Sequence, residues 1–345
     1  MKTKWADIGI VPKHGLATTC VQRTFSTTVL IGAMICTLGA AAAGPSDKSA
    51  PDLVDKLRFT TTDGRRYVFD TGVLRGELRQ AERTIGLTSL VHVPSGTRLD
   101  GTYGIFSYYR IFTSNKRYGH AAWEWPCASK LLPDGAVQIF WPADENRPIE
   151  MSATYRLTGP STIDLETVVK AQKDLPQFEV FLASYFRETF PVPCVYVGEN
   201  PEAEGKPGFL TAKKPLGDWQ MFPRDEHVLP LIRDGRWQKE PNPVEWVIMP
   251  YMAAPVGIRR SAPADLTAIL MAPPEDCFAI STPYEGEGHY SLYMSLFGRD
   301  IKAGEKLNAR SRLVIAADGS NDRVLDLYKG YMKELRAGTV SNTAP

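Results

Sequence analysis

Ten residues, 117–126, reading RYGHAAWEWP, gather an arginine, a histidine, a carboxylate and two indoles into one short stretch. Indole faces stack on the C–H faces of pyranose rings, and Arg117, His120 and Glu124 are of the types that reach sugar hydroxyls or a sugar carboxylate. Such a set could do acid/base chemistry, with His120 as base and Glu124 as acid or hydroxyl ligand. It could equally be a hydrogen-bonded corner in which Glu124 pairs with Arg117. Spacing limits which side chains meet. On a helix His120 and Glu124 would touch, whereas on a strand they would share a face about 13 Å apart. Trp123 and Trp125, two apart, would lie together on the opposite face of a strand, and the indole pair reads as core.

The elements that must position these groups are strands. From residue 57 the chain is a succession of short runs with period-two alternation, separated by Gly, Pro, Asp and Asn. Residues 57–62 and 67–70 read as a hairpin turned by Asp63-Gly64. Further strands are expected at 104–112, 136–141, 152–157, 163–169, 178–187, 244–249, 268–271, 289–297 and 309–316. Two segments compete for helix. Residues 73–81 have short helical character, and 323–338 is stronger. In the latter Val324, Leu327, Tyr328, Tyr331 and Leu335 share one face, with Asn321 or Asp322 as cap and Gly338 as stop. Residues 200–245, rich in Pro, Gly, Lys and Asp, read as long loops. Asp225-Glu226-His227 stands there as a candidate lid. This spacing predicts an all-β fold, a large antiparallel β-sandwich with a C-terminal helix.

Strand parity sharpens the candidates, because alternate residues share a face. In 178–187, Phe178, Val180, Leu182, Ser184 and Phe186 form a core face, and Glu179, Phe181, Tyr185 and Arg187 lie opposite. In 289–299, Tyr290, Leu292, Met294 and Leu296 go inward, and His289, Ser291, Tyr293, Ser295, Phe297 and Arg299 share the other side. Aromatics interleaved with ionisable groups suit a concave sugar groove or a solvated outer face. His289 follows Tyr284-Glu-Gly-Glu-Gly288, whose glycines permit close backbone approach to a ligand or form a flexible hairpin. Arg187 and Arg299 suit a carboxylate-bearing sugar as bidentate donors, or serve in structural ion pairs such as Arg299 with Asp300 or Glu305.

The block Y-R-L-T-G-P-S-T-I-D-L-E-T (155–167) leading to F-E-V-F-L-A-S-Y-F (178–186) resembles the central sheet of galactose mutarotase-like proteins. These are the β-supersandwich domains of aldose 1-epimerases and of many polysaccharide-degrading enzymes. Ser295-Leu-Phe-Gly-Arg-Asp-Ile301, Ala303-Gly-Glu305 and Arg312-Leu-Val-Ile resemble that family's closing hairpin. The likeness spans residues 57–320. It implies a β-supersandwich of galactose mutarotase type over 57–338, followed by a disordered tail, 339–345, and it implies a sugar-binding groove. There is one departure. Aldose epimerases carry an Asn-His pair before the aromatic pair of the central strand, and here Leu182-Ala183-Ser184 stands before Tyr185-Phe186. Mutarotation needs an acid and a base on opposite sides of the ring oxygen and anomeric hydroxyl, so simple epimerase chemistry loses a partner.

Residues 1–43 read as a secretory signal. Lys2, Lys4, Lys13 and Arg23 precede an apolar run, 28–43, that ends in Gly39-Ala-Ala-Ala-Ala43. Cleavage after Ala43 and a polar linker, 44–56, are expected, with an uncleaved membrane anchor as the alternative. No membrane span is expected after cleavage, and the mature protein would be periplasmic or extracellular. Of five cysteines, Cys127, Cys194 and Cys277 would remain, an odd number with no disulfide framework, although one bridge plus a free thiol is allowed. No zinc spacing is present, and Asp144-Glu145-Asn146 reads as a solvated turn in preference to a calcium site. No metal or cofactor is expected. Lys plus Arg, 40, nearly cancel Asp plus Glu, 39, so no nucleic-acid partner is expected. Serine-hydrolase, P-loop, dinucleotide and zinc-protease signatures are absent.

The expectation is an exported protein that binds or processes a sugar or oligosaccharide by acid/base chemistry, as a lyase, hydrolase or epimerase. His120 or His289 would be the base, with Tyr185 and an arginine polarising the substrate. Arg117, Trp123, Glu124, Trp125, Glu179, Arg187, Tyr293 and Arg299 would bind it. The contrasting reading is a non-catalytic sugar-binding or envelope-structural protein.

Overall fold

Alternation is what builds this molecule. In Thr162–Ala171 the residues Ile163, Leu165, Thr167, Val169 and Ala171 are buried, and those between them are half-covered or exposed. One face is thus apolar and must be covered. The structure, a computed structural model, describes residues 56–80, 86–114 and 116–341, with side chains to 338. The leader, the linker up to residue 55 and the end of the tail, 342–345, lie outside the described residues.

The first strands are β1 (Thr60–Thr61), β2 (Arg66–Asp70), β3 (Leu74–Arg79), β4 (Leu87–His92) and β5 (Thr97–Arg98). Next come β6 (Ser107–Thr113), β7 (Lys116–Arg117), β8 (Ala128–Leu131), β9 (Val137–Trp141), β10 (Ile149–Gly159), β11 (Thr162–Ala171) and β12 (Leu175–Tyr185). The chain continues through β13 (Val192–Val197), β14 (Gly208–Thr211), β15 (Trp219–Pro223) and β16 (Val247–Ile248). It ends with β17 (Met252–Ser261), β18 (Leu266–Met271), β19 (Cys277–Pro283), β20 (Ser291–Ile301) and β21 (Lys306–Ala316). Two helices are labelled α1 (Leu229–Ile232) and α2 (Asn321–Ser341).

Among the described residues the strands form three sheets. β1 to β5 pair in chain order. A nine-stranded sheet runs β14-β13-β17-β18-β21-β11-β10-β9-β8, and a seven-stranded sheet runs β16-β15-β19-β20-β12-β6-β7. Pairing is antiparallel except between β15 and β16. One continuous core joins side chains of all three sheets, among them Phe69 and Leu74, Ile139, Tyr155 and Leu165, and Phe178, Leu182 and Leu296. The fold is therefore the large antiparallel β-sandwich with a C-terminal helix that the alternation and the resemblance predict.

Some elements differ from the sequence reading. Residues 74–79 are a strand, not a helix: β3 pairs with β2 on one side and β4 on the other, and sheet pairing overrides a short ambiguous pattern. β13, β17 and β19 carry little alternation, since β19 is buried at every position and β17 is interrupted by Pro255 and Gly257. Strands covered on both faces lose the period-two signal. β20 begins at Ser291, so His289 precedes the strand. Residues 244–249 reduce to the two-residue β16.

The α2 helix packs as its periodicity predicts. Val324 and Tyr331 are buried against Ile258, Ile269, Met271 and Val314 of the nine-stranded sheet, and Leu327, Tyr328 and Leu335 pack around them. Its cap is Ser320, whose Oγ accepts from the Arg323 N–H; Asn321 instead accepts from Arg260 at 2.6 Å. The helix runs past Gly338, where the missing side chain faces open space and only helix propensity is lost.

Candidate functional site

The side of the seven-stranded sheet turned away from the core carries the aromatic and ionisable residues. Parity on β12 holds: Phe178, Val180, Leu182 and Phe186 join the core, and Phe181, Ala183 and Tyr185 join a second cluster on the other face. On β6 a bulge changes the count. Phe181 pairs with Arg110 and Leu182 with Tyr108, so Tyr109 is the extra residue and both Tyr109 and Arg110 belong to the outer side. On β20 Leu292, Met294 and Leu296 go inward as expected. Phe297 joins them in the core because it and Gly298 both take positive φ and shift the register.

Much of this outer face is covered. Residues 226–238 fold as two 3-10 turns with α1 between them, placing Val228, Leu231, Ile232 and Trp237 on Phe112, Phe181 and Met221. Trp237 packs edge-on to Phe112 at 4.9 Å and to Phe181 at 4.8 Å. Asp225, proposed with its neighbours as a lid, caps the first turn by accepting from the His227 N–H. Beneath the cover Glu179 and Arg236 form a fully buried ion pair at 2.8 Å, and Arg236 also donates to Asp234 and to the Gln177 carbonyl. Burial works to lower the Arg236 pKa, but the Glu179 and Asp234 carboxylates outweigh it and hold the value above the ordinary one. Glu179 is closed off from solvent.

At the uncovered end, Tyr185, Arg187 and His289 line one cleft of about 280 Å³ together with Thr102, Tyr103, Glu188 and Tyr290. The backbone explains the convergence. Gly101 donates to the Tyr185 carbonyl, Tyr185 to the Gly104 carbonyl and Arg187 to the Leu99 carbonyl, stitching loop 99–104 to the end of β12. Gly101 is required there, because a Cβ would meet the Phe186 carbonyl oxygen at 2.6 Å. Across the cleft, Glu287 accepts from the His289 backbone N–H and holds His289 Nδ1 at 2.7 Å. That hydrogen bond raises the imidazole pKa against the opposing effect of burial. Tyr290, next in the chain, sits in the left-handed region at φ 47°, a strained setting for an aromatic residue. Burial pushes the Tyr185 phenol well above its usual range, so it is a hydrogen-bond donor at neutral pH. Tyr293 lies behind it, accepts from Ser291 Oγ at 2.7 Å and is pushed up to about 12, chiefly by burial.

His120 lies in another cleft, of about 570 Å³, with Arg117, Glu124, Trp125, Asp144 and Arg147. Residues 122–124 form a 3-10 turn, so His120 Nδ1 and Glu124 meet at 3.2 Å. The same turn separates the indoles that a strand would have kept together. Trp125 goes into the core under the Arg147 guanidinium, 4.8 Å from the ring centroid, and Trp123 joins the outer cluster. Arg117 donates to the carbonyls of Gly119, His120 and Pro241 and ties the cover to this corner. Burial, with Arg110 nearby, brings its pKa down to about 10. Asp144 is engaged by Arg147 and by the Asn146 N–H. Arg299 donates to the Glu275 carbonyl near the far end of β20, away from both clefts. Asp300 accepts from Gln177 N, and Glu305 accepts from Lys302 N.

The two clefts flank one ring stack. Tyr103, exposed and lining the His289 cleft, lies parallel to Trp123 at 5.4 Å. Trp123 lies parallel to Tyr109 at 4.6 Å, and His120 meets the edge of Tyr109. A larger depression, about 640 Å³, on the outer face of the nine-stranded sheet is lined by alternating polar residues and brings together no histidine, arginine or tyrosine. Tyr103, Tyr109, Arg110 and Tyr290 were not singled out from the sequence. For the first three the signal is the aromatic run 103–112, in which the bulge hides which members share a face.

No protein-family model matches the chain, and no curated protein matches it. Solved structures do. A galactose mutarotase-like protein from Lactobacillus casei aligns at 12% identity with a TM-score of 0.46, over 73% of this chain and 100% of that one. An aldose epimerase homologue from C. elegans aligns at 9% identity and TM-score 0.41, over 75% and 98%. A heparan sulfate lyase from Pedobacter heparinus aligns at 7% and 0.42, over 75% of this chain and 36% of that one.

Proposed function

We propose that the chain is an exported carbohydrate-processing protein that holds a sugar in the Tyr185–Arg187–His289 cleft and works on it by proton transfer, as a lyase, hydrolase or epimerase. The observation that carries this reading is the convergence of Tyr185 and Arg187 with His289, remote from them in sequence, in one cleft beside the exposed ring of Tyr103. Each group has a part suited to its setting. Tyr103 offers a stacking face, Arg187 hydrogen-bond donors, and Tyr185 a neutral phenol that can polarise a ring or carboxyl oxygen. His289, with Nδ1 held by Glu287, has Nε2 for the substrate and keeps its proton to higher pH than an ordinary histidine.

The test is incubation of purified protein with neutral and uronic-acid polysaccharides, following reducing ends and the absorbance of unsaturated products. Turnover that is lost in His289→Ala supports the reading. A second reading, a sugar-binding protein without turnover, is favoured by the placement of His120 and Glu124 in a separate cleft, each engaged with the other. It predicts no turnover on any of these polymers, together with binding that Trp123→Ala abolishes.

A further inference from the structure

The buried arginines fall into two groups. Arg236 is met by Glu179 and Asp234, and Arg312 by Asp164 and Glu334. Arg110 and Arg259 have no such partner. Arg259, on β17, is 0% exposed; its Nε and Nη1 make no hydrogen bond, and Nη2 reaches only the Pro191 carbonyl at 3.5 Å. Arg110, on β6, is 3% exposed. It donates through Nη2 to the Asn242 carbonyl at 2.8 Å, lies over the rings of Tyr109 and Trp237, and leaves Nε and Nη1 without an acceptor. Among the described residues no carboxylate stands within ion-pair distance of either guanidinium.

These two cations come from opposite sheets, and each lies against an aromatic ring connected to the His289 cleft. Arg110 lies over Tyr109 at 4.8 Å, the far ring of the stack that reaches the cleft through Trp123 and Tyr103. Arg259 reaches Tyr293, and its guanidinium carbon is 5.9 Å from the Tyr290 ring centroid. Tyr103 and Tyr290 are walls of the His289 cleft, so an unpartnered buried cation backs each end of its aromatic lining. At the lining itself Arg187 and His289 are opposed by Glu188, and Glu287, already paired with His289, also feels Arg259. Burial pulls the Arg259 pKa down to about 9, which leaves it charged at neutral pH. A buried cation without a counter-charge is costly, and an anion bound nearby offsets that cost.

We infer that the cleft is an oxyanion subsite: the sugar it takes carries a carboxylate or an ester sulfate, and Arg259 and Arg110 are the specificity-determining charges. This rests on the sugar-binding reading above and names the substrate class for it. The full chain is titrated calorimetrically with galactose, galacturonate and galactose 6-sulfate at neutral pH and low salt. At least one acidic sugar is expected to bind about tenfold or more tightly than galactose, as charge-assisted contacts allow, and the stronger of the two identifies the anion. In Arg259→Met and Arg110→Met that margin shrinks to about threefold or less with galactose affinity unchanged, a split that mere loss of packing would not give. Arg259→Lys, which keeps the charge, retains most of the margin. An apolar side chain in place of an unpartnered buried cation also preserves or raises the melting temperature. If galactose binds as tightly as both acidic sugars, the oxyanion subsite is wrong and the sugar-binding reading stands. If none of the three binds, both fall together.

Discussion

His289 and Glu287 set each other's charge, and the sign of that coupling makes it measurable. The Glu287 hydrogen bond raises the imidazole pKa above the ordinary value of about 6.5, and His289 outweighs burial to hold the Glu287 carboxyl below its own. The stabilisation from His289 is fully present below the unfolded imidazole pKa and is lost as pH rises through the folded one. That from Glu287 is present above the unfolded carboxyl pKa and is lost as pH falls through the folded one. The pair therefore contributes most between the two transitions. Glu287→Gln removes the raising contact and leaves burial, which lowers the imidazole value. Ring-proton NMR titration should place the His289 midpoint above 6.5 in the native chain and below it in the variant. A midpoint that stays put would show that Glu287 does not hold the proton. The residues of this cleft were legible in part. Parity gave Tyr185 its face, and the glycines before His289 marked a close approach. Arg110 and Tyr109, on the neighbouring β6 outside the cleft, were not legible, because a bulge is invisible to a period-two count.

At the scale of elements, the cover over the outer face hangs on one buried ion pair. Glu179 and Arg236 are both fully buried, and Arg236 also holds Asp234 and the Gln177 carbonyl. Removing Arg236 leaves the Glu179 charge in a dry site, whereas removing Glu179 leaves Arg236 with Asp234. Arg236→Met should therefore lower the unfolding free energy by roughly 3–5 kcal/mol, and Glu179→Gln by less. The double variant should recover much of the Arg236→Met loss, since Glu179 is then no longer stranded. Urea unfolding of the three variants checks this; losses that simply add would mean the two residues act independently. Residues 200–245 read as loops because Pro, Gly and charge dominate their composition. What composition concealed is that Val228, Leu231, Ile232 and Trp237, widely spaced among polar residues, all point into one cluster. The α2 helix was the opposite case. Five apolar residues at helical spacing announced both the element and its buried face, and the sheet beneath supplied the partner.

Across the whole molecule, alternation and turn residues were enough to name an antiparallel sandwich, because every half-covered strand must bury its apolar side. They could not order the twenty-one strands of the described residues into sheets, since pairing is set by contacts between segments remote in sequence. Three thiols now sample three depths of that assembly. Cys127 is half-buried, Cys194 is buried in the layer between the nine-stranded sheet and α2, and Cys277 is buried in the core between the sheets. All three are free. Burial raises the Cys194 pKa and pushes Cys277 up to about 12, so neither presents a thiolate at neutral pH. In the native chain Cys194 and Cys277 should therefore both resist a thiol reagent. Ending the chain at Gly319 removes α2, and with it Val324 and Tyr331 from the surface above Cys194. Cys194 should then react about tenfold faster or more while Cys277 stays protected, because the core between the sheets does not depend on the helix. Mass spectrometry of timed labelling reads each site separately. If Cys277 opens together with Cys194, the helix is holding the sandwich itself together, and the layers unfold as one.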